Sequence, residues 1–413
     1  MHNSKNKSAE YKSHNNINMR KYLSIILLIS FEILSFGQGD SEVLTKARNL
    51  IINKKYDSAF RILNEADPKN EKPDIVLLKE EIAINYFVSS IMHQIFGLKD
   101  LNPNEDILDY RGKEGNYNMI SLPINEILDN LIKKYPNNYK LPKGLGDFYY
   151  EVHLKYGDNW LKKNQELFDL IEKNYSKAIS HNEFDYQTFY VLGYISVSKE
   201  KFKESIPLFM KSIALNRNYA SSYYNLAYAY LYINERDSAI QYAKKSFDLY
   251  KDITYKGDAA RMIATIYAEL NNEQKSIEYY ELSNSIDSNN YYTMRPLLNL
   301  YVKTGSDKVK RTTDSFYNIS PDNPTIYNDL SSIYFSNNKS DELAKFYKSN
   351  LIKYESDLKV YGNLNFYLGR LYFESDKKLA IEYFTKSKEI FAQIFDKNNE
   401  VFKVIDDAIN KLK

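Results

Sequence analysis

Between Ala220 and Leu249 the apolar positions fall into two stripes. Tyr223, Leu226, Ala227 and Tyr230 lie three or four residues apart, and Ala239, Tyr242 and Ser246 repeat that spacing. Residues at these separations share one face of an α-helix. The polar run Asn234-Glu235-Arg236-Asp237 interrupts the pattern between them. The spacing predicts a helix, a turn and an antiparallel helix, each with one face to bury.

The first stripe recurs along the chain. Phe189, Leu192 and Gly193 precede it; Ile263, Ala264 and Tyr267, then Leu297 and Tyr301, then Tyr327, Leu330 and Tyr334, then Leu368, Gly369 and Tyr372 follow it. Second stripes follow in register at Ser205 and Phe209, Ser276 and Tyr280, and Ala380 and Phe384. Leu192 to Leu226 and Tyr267 to Tyr301 are each 34 residues, and Tyr301 to Tyr334 is 33. A constant period of this length marks stacked units that cannot bury their apolar faces singly.

The pattern resembles the tetratricopeptide repeat, in which W-x2-L-G-x2-Y is followed by A-x3-F at the same period. Gly193, Ala227, Ala264 and Gly369 stand at the small position that lets the second helix pack close against the first. The resemblance covers residues 186–396. It departs from the family in the unit beginning at Tyr291, where Lys310 and Asp314 replace the small and aromatic residues, so a looser second helix is expected there. The resemblance implies an all-α fold, a right-handed superhelical solenoid of antiparallel helix pairs with about six repeats over 181–396.

Upstream, residues 38–180 show a degenerate form of the same pattern with polar loop insertions. Residues 42–66 form one expected pair, its second helix opening at Tyr56-Asp57-Ser58-Ala59. Leu145, Gly146 and Tyr149 form another first helix, with Tyr175 and Ala178 in its partner and an insertion from Tyr156 to Lys163. Ile75 to Leu98 and Ile124 to Tyr135 are expected as a third pair around a polar loop. A helix from Val401 to Leu412, within residues 397–413, is expected to cap the array, since a terminal unit must hide the face a neighbour would cover.

Residues 1–37 form a separate segment. Residues 1–18 are polar and aperiodic. Met19-Arg20-Lys21 then introduces a mostly apolar run from Tyr22 to Phe36, ending in the small residues Ser35 and Gly37. That is the layout of a secretory signal peptide, with Met19 a second possible start and Gln38 the first mature residue. The run is too short to span a bilayer comfortably and contains Glu32, so a stable membrane span is not expected. The expected location is outside the cytoplasm, in the periplasm or beyond the cell.

Composition sharpens this picture. Only 13 Gly and 10 Pro occur in 413 residues, too few turn formers for a sheet-rich fold. The 39 tyrosines exceed ordinary usage, and the repeat accounts for most of them as core rings whose hydroxyls reach the surface. The whole chain carries a formal charge of +2, and its first 37 residues hold five basic against two acidic side chains, which leaves the remainder near −1. Such a chain has no overall field to attract nucleic acid. The absence of cysteine excludes disulfides, thiolate metal sites and thiol nucleophiles.

Candidate chemistry is sparse. His93, His153 and His181 have no second ligand at helical spacing, so neither a metal nor a cofactor is expected, and the three read as helix-surface or partly packed residues. Lys143-Gly144-Leu145-Gly146 follows no strand and lacks a third glycine for a phosphate loop. Asp100, Asn102 and Asn104 have calcium-loop spacing, but Glu105 stands where the turn needs Gly and Arg111 where a bidentate carboxylate is needed. Adjacent Glu80 and Glu81 point about 100° apart on a helix, which does not suit joint acid–base work. No serine sits in a G-x-S-x-G turn. The reading is non-enzymatic.

What the family resemblance implies instead is a groove lined by first helices. Carried over unit by unit, its positions are Tyr190 and Tyr194, then Tyr224, Tyr228 and Tyr232, then Arg261 and Thr265, Arg295 and Asn299, Asn328, and Arg370. Tyrosines gather at one end and arginines at the other. Tyrosine offers flat amphipathic contact and arginine a planar fork for carboxylates. Arg295 and Asn299 imitate the first pair of the family's carboxylate clamp, but Asp329 stands where its Asn belongs, so the clamp is absent. The expected partner is a protein or peptide, with a glycan stacked on the groove tyrosines as the alternative. The export signal and the Asn-, Lys- and Ile-heavy composition resemble envelope tetratricopeptide-repeat proteins of Bacteroidetes-type bacteria.

Overall fold

The computed structural model describes residues 39–413, so the extension and signal reading over 1–37 lies outside the described residues. The chain divides into two compact units, the first ending at Ile195 and the second running Ser196–Lys413. Both are built from tandem helix pairs, and among the described residues the architecture is all-α apart from one small sheet.

In the first unit a helix over residues 39–52 (α1) precedes α2 (Tyr56–Ala66), α3 (Pro73–Asn85), α4 (Ile124–Lys134), α5 (Lys140–Tyr156), α6 (Asn164–Ile179) and all but the last three residues of α7 (Tyr186–Ser198). Its core runs from Phe60 and Leu63 through Ile75, Ile82 and Leu128 to Phe148, Ile171 and Tyr175. The second unit holds α8 (Phe202–Leu215), α9 (Ala220–Tyr232), α10 (Arg236–Leu249), α11 (Ile253–Glu269), α12 (Glu273–Ile286), α13 (Tyr291–Thr304), α14 (Val309–Tyr317), α15 (Pro324–Ser336), α16 (Ser340–Lys353), α17 (Leu358–Tyr372), α18 (Lys377–Phe391) and α19 (Glu400–Leu412).

The turns explain why the helices stop where they do. Lys54, Glu200, Asn234, Asn271, Gly305 and Asn338 each follow the first helix of a pair and each has positive φ. Asn tolerates the left-handed region better than other side chains, and Gly has no Cβ to clash there. Asn or Asp then caps later helices: Asp252, Asn272, Asn290, Asn323, Asp357, Asp376 and Asn399 each accept a first-turn N–H. Much of the asparagine in the composition is therefore punctuation.

Small positions work as close-approach points. A Cβ on Gly146 would lie 2.5 Å from the Tyr175 ring, and one on Gly369 would lie 2.8 Å from Phe384. The second helix of the divergent unit, α14, is short, at 9 residues. The most deeply buried tyrosines differ from expectation, because their hydroxyls find internal acceptors instead of the surface. Tyr317 and Tyr327 share a 2.8 Å hydroxyl contact, and Tyr175 donates to Asp147 at 2.7 Å.

The expected helix from Ile75 to Leu98 ends at Asn85. Beyond it lie β1 (Ser89–Ile91), β2 (Ile95–Gly97) and β3 (Met119–Ser121), an antiparallel sheet in the order β1-β2-β3. Ser90 pairs with Phe96, and Phe96 with Ile120. The apolar spacing does not announce the strands, because Val88, Ile91, Met92, Ile95 and Phe96 stay three and four apart, yet the chain turns at Met92 and His93, both with positive φ. The intervening loop uses its polar groups internally: Asp100 accepts from Ser58, Glu105 from Asn102 and Tyr110, and Arg111 donates to the carbonyls of Asn85 and Phe87.

Candidate partner-binding groove

Helix α9 carries two faces. Tyr223, Leu226 and Ala227 are buried, whereas Tyr224, Tyr228 and Tyr232, each four apart, form a row beside them. Arg261 and Thr265 make the matching row on α11. The structure brings these five residues together around one cleft of about 510 Å³, completed by Leu231, Arg236 and Glu269.

The aromatic wall is continuous. Tyr232 lies 4.6 Å from both Tyr228 and Phe202, stacking on the latter, and Tyr224 meets Tyr250 edge-on at 6.3 Å. Burial, with the Tyr232 hydroxyl bond added, pushes Tyr228 up to about 12. Burial also raises Tyr224, and Arg261 offsets part of that rise. These phenols are neutral donors and acceptors across the physiological range.

The charges in the cleft are already matched. Arg261 pairs with Asp258 at 2.6 Å and Arg236 with Glu269 at 3.2 Å. Thr265 bonds the Arg261 carbonyl and the Tyr280 hydroxyl, each at 3.0 Å. Arg261 Nε is buried and has no partner.

The remaining predicted positions of the second unit act as ties between first helices. Arg295 on α13 bonds Asp329 on α15 at 2.7 Å, and Asn299 accepts from Asn337 at 3.1 Å. Asn328 on α15 accepts from Arg370 at 3.0 Å and Tyr367 at 3.1 Å, both on α17. Arg370 also lines a second cavity of about 500 Å³ with Phe366, Phe373, Phe384, Val404 and Lys411. Tyr190 and Tyr194 belong to the first unit; the Tyr194 hydroxyl lies 3.2 Å from His153 Nε2. Sequence reasoning missed Phe202, Arg236, Asp258 and Glu269. Only Asp258 was readable in advance, as an i−3 partner of Arg261.

The three histidines have separate surroundings. His153 contacts Asn164 at 2.6 Å and His181 stacks on Tyr139 at 3.4 Å. His93 corrects the expectation: it sits in a hairpin turn and is fully buried. Among the described residues no group of three or more His, Asp or Glu side chains is placed to hold a metal ion, and no helix is long and apolar enough to cross a membrane.

A family model described as Tetratricopeptide repeat matches residues 186–219, 220–253 and 262–290, the segments that carry α7 to α12. The chain carries tetratricopeptide repeats. Such repeats suggest a protein-interaction scaffold. No curated protein matches the sequence. Similar solved structures include a tetratricopeptide repeat protein from Parabacteroides merdae, 14% identical, covering 66% of this chain and 98% of that one at a TM-score of 0.40. The C-terminal part of a repeat-containing protein from Cytophaga hutchinsonii is 15% identical, covering 70% of this chain and 93% of that one at 0.40. YrrB, a tetratricopeptide-repeat protein with an unusual peptide-binding site, is 13% identical, covering 52% and 91% at 0.30.

Proposed function

We propose that this chain is an exported, non-enzymatic scaffold that binds a protein or peptide partner in the cleft between α9 and α11. The observation that carries this reading is the convergence of Tyr224, Tyr228 and Tyr232 with Arg261 and Thr265 on that cleft. Rigid aromatic rings give large contact area with little entropy to lose, and their hydroxyls can bond peptide carbonyls and amides. Export rests on the Met19-Arg20-Lys21 start and the apolar run to Phe36.

The test is affinity capture from envelope extract with the chain beginning at Gln38, beside a Tyr228→Ala/Tyr232→Ala variant of unchanged helicity. A protein retained by the first and lost by the second supports the reading. Equal retention moves the contact surface elsewhere, and retention of glycan without protein replaces the partner class. Cell fractionation with N-terminal sequencing tests export separately, a cytoplasmic chain still beginning at its initiator methionine being the contrary result.

A further inference from the structure

The tip of the β1–β2 hairpin folds inward. Gln94 N–H donates to the Ile91 carbonyl at 3.0 Å, closing a turn whose two central residues, Met92 (φ 46°) and His93 (φ 53°), are both left-handed. This twist suits a two-stranded hairpin, but neither residue is the Gly or Asn that adopts it cheaply. Something outside the turn must hold it.

The His93 ring does so as a plug. It is 1% exposed and is enclosed by Tyr156 at 5.0 Å, Phe87 at 5.6 Å, Phe96 at 5.9 Å and Phe148 at 6.3 Å. Nε2 lies 3.3 Å from the Glu151 carbonyl, a contact that requires the proton on that nitrogen. Nδ1 is then a bare acceptor, buried without a partner. Two further ties close the tip: the His93 amide donates to the Tyr156 hydroxyl at 3.2 Å, and Trp160 Nε1 donates to the Met92 carbonyl at 2.7 Å.

We propose that the hairpin Ser89–Gly97 is an acid-sensitive latch, held shut by the neutral His93 imidazole and released when that ring takes up a proton. Protonation would place a second N–H, on Nδ1, among aromatic rings with nothing to accept it. The charged and titratable groups facing the ring do not compensate. From α5 come Lys155, Tyr156 and Glu151; from the loop comes Arg111. Lys155 Nζ and Arg111 Cζ already lie 5.6 and 4.2 Å from the Phe87 ring centre. The Glu151 carboxyl is pushed up to about 7, first by burial and then by Asp147, so it turns neutral as the medium becomes acidic.

Burial is also the main cause that pushes His93 down to about 4, against its bond to the Glu151 carbonyl and with Lys155 and Arg111 acting in the same direction. In an open hairpin the ring returns to its ordinary value of 6.5. At the His93 ring the closed state binds fewer protons than the open one between those values. The closing equilibrium therefore has its full value above pH 6.5 and weakens below it by up to about tenfold per pH unit, roughly 150-fold by pH 4.

The protein carries its own reporter, because Trp160 is its one tryptophan and bonds the hairpin tip. Tryptophan emission, amide exchange over residues 86–97 and far-UV ellipticity are followed from pH 7.5 to 4 on the full chain and on His93→Asn, which tolerates positive φ but cannot be charged. The expected result for the native chain is hairpin exchange, corrected for intrinsic rate, that rises by up to about tenfold per pH unit below 6.5. Trp160 emission shifts with it and ellipticity holds; the variant shows no such pH dependence. The same profile in the variant, or ellipticity lost together with the hairpin, overturns the latch. If His93→Asn does not fold, the His93 ring titration followed by NMR in the native chain decides: titration near 6.5 with a protected hairpin overturns the proposal.

Discussion

Arg295 and Asp329 meet at 2.7 Å across two successive first helices, and Asp329 also accepts from the Tyr291 hydroxyl at 2.5 Å. The pair is lopsided, since the arginine side chain is 44% exposed and the aspartate only 13%. The bond is made through the Arg295 Nε–H and leaves the arginine's terminal nitrogens unused by Asp329.

That asymmetry predicts unequal costs. Replacing Asp329 with Ala strands two donors, one of them on a half-buried phenol, and is expected to cost about 1–2 kcal/mol. Replacing Arg295 with Ala leaves Asp329 its bond to Tyr291 and keeps its exposed edge in water, so less than about 1 kcal/mol is expected. Urea unfolding of both variants, with the double variant closing the cycle, measures the difference. Equal costs would mean that Tyr291 contributes nothing to holding the carboxylate.

Buried polar pairs recur where the second helix of one repeat meets the first helix of the next. Ser212 and Ser222 share a 2.8 Å contact, Ser283 and Thr293 one of 3.0 Å, and Tyr317 and Tyr327 one of 2.8 Å, each pair ten residues apart. Ser212 and Ser222 are completely buried. Ser222→Ala removes one partner and leaves the other hydroxyl unpaired, with an expected loss of about 1–2 kcal/mol. Ser212→Ala/Ser222→Ala removes both and is expected to recover most of that loss. Thermal unfolding of the single and double variants tests the coupling; strictly additive losses would show that the two hydroxyls act independently.

The repeat helices were legible because their burial follows a local rule. Tyr223, Leu226 and Ala227 are buried because they lie three and four apart on α9, and Gly369 is needed because Phe384 lies against its Cα. The cleft positions on α9 and α11 came from the resemblance to the tetratricopeptide repeat, carried over unit by unit. The charge partners were not legible, because Glu269 meets Arg236 and Asp329 meets Arg295 across separations of 33 and 34 residues. The sheet was hidden for another reason. Its strands are three residues each, too short for alternation to stand out from the helical pattern of α3 that precedes them.

Glu80 gives a pH-dependent test. It lies on α3, 4% exposed, with Oε1 buried and unpartnered, and Oε2 would stand 2.7 Å from a Cβ on Gly144. Its neighbour Glu81 points away to pair with the exposed Arg48 at 3.6 Å, as expected for adjacent helical positions. Burial raises the Glu80 carboxyl well above its ordinary 4.5, Asp147 raises it further, and Lys143 offsets only part. Lys143 is itself occupied by Asp147 and Asp185, each at 2.8 Å. A carboxyl held higher in the folded chain than in the unfolded one makes folding take up a proton. The stability tied to it is full below about pH 4.5 and falls as pH rises, by about tenfold in the folding equilibrium per pH unit. Glu80→Gln keeps the volume and removes the titration. Its stability relative to the native chain is therefore expected to grow between pH 5 and 8 in urea unfolding, while the two converge at lower pH. A variant that is less stable by the same amount at every pH would mean that the Glu80 carboxyl is ionised in the fold and held by Lys143 after all.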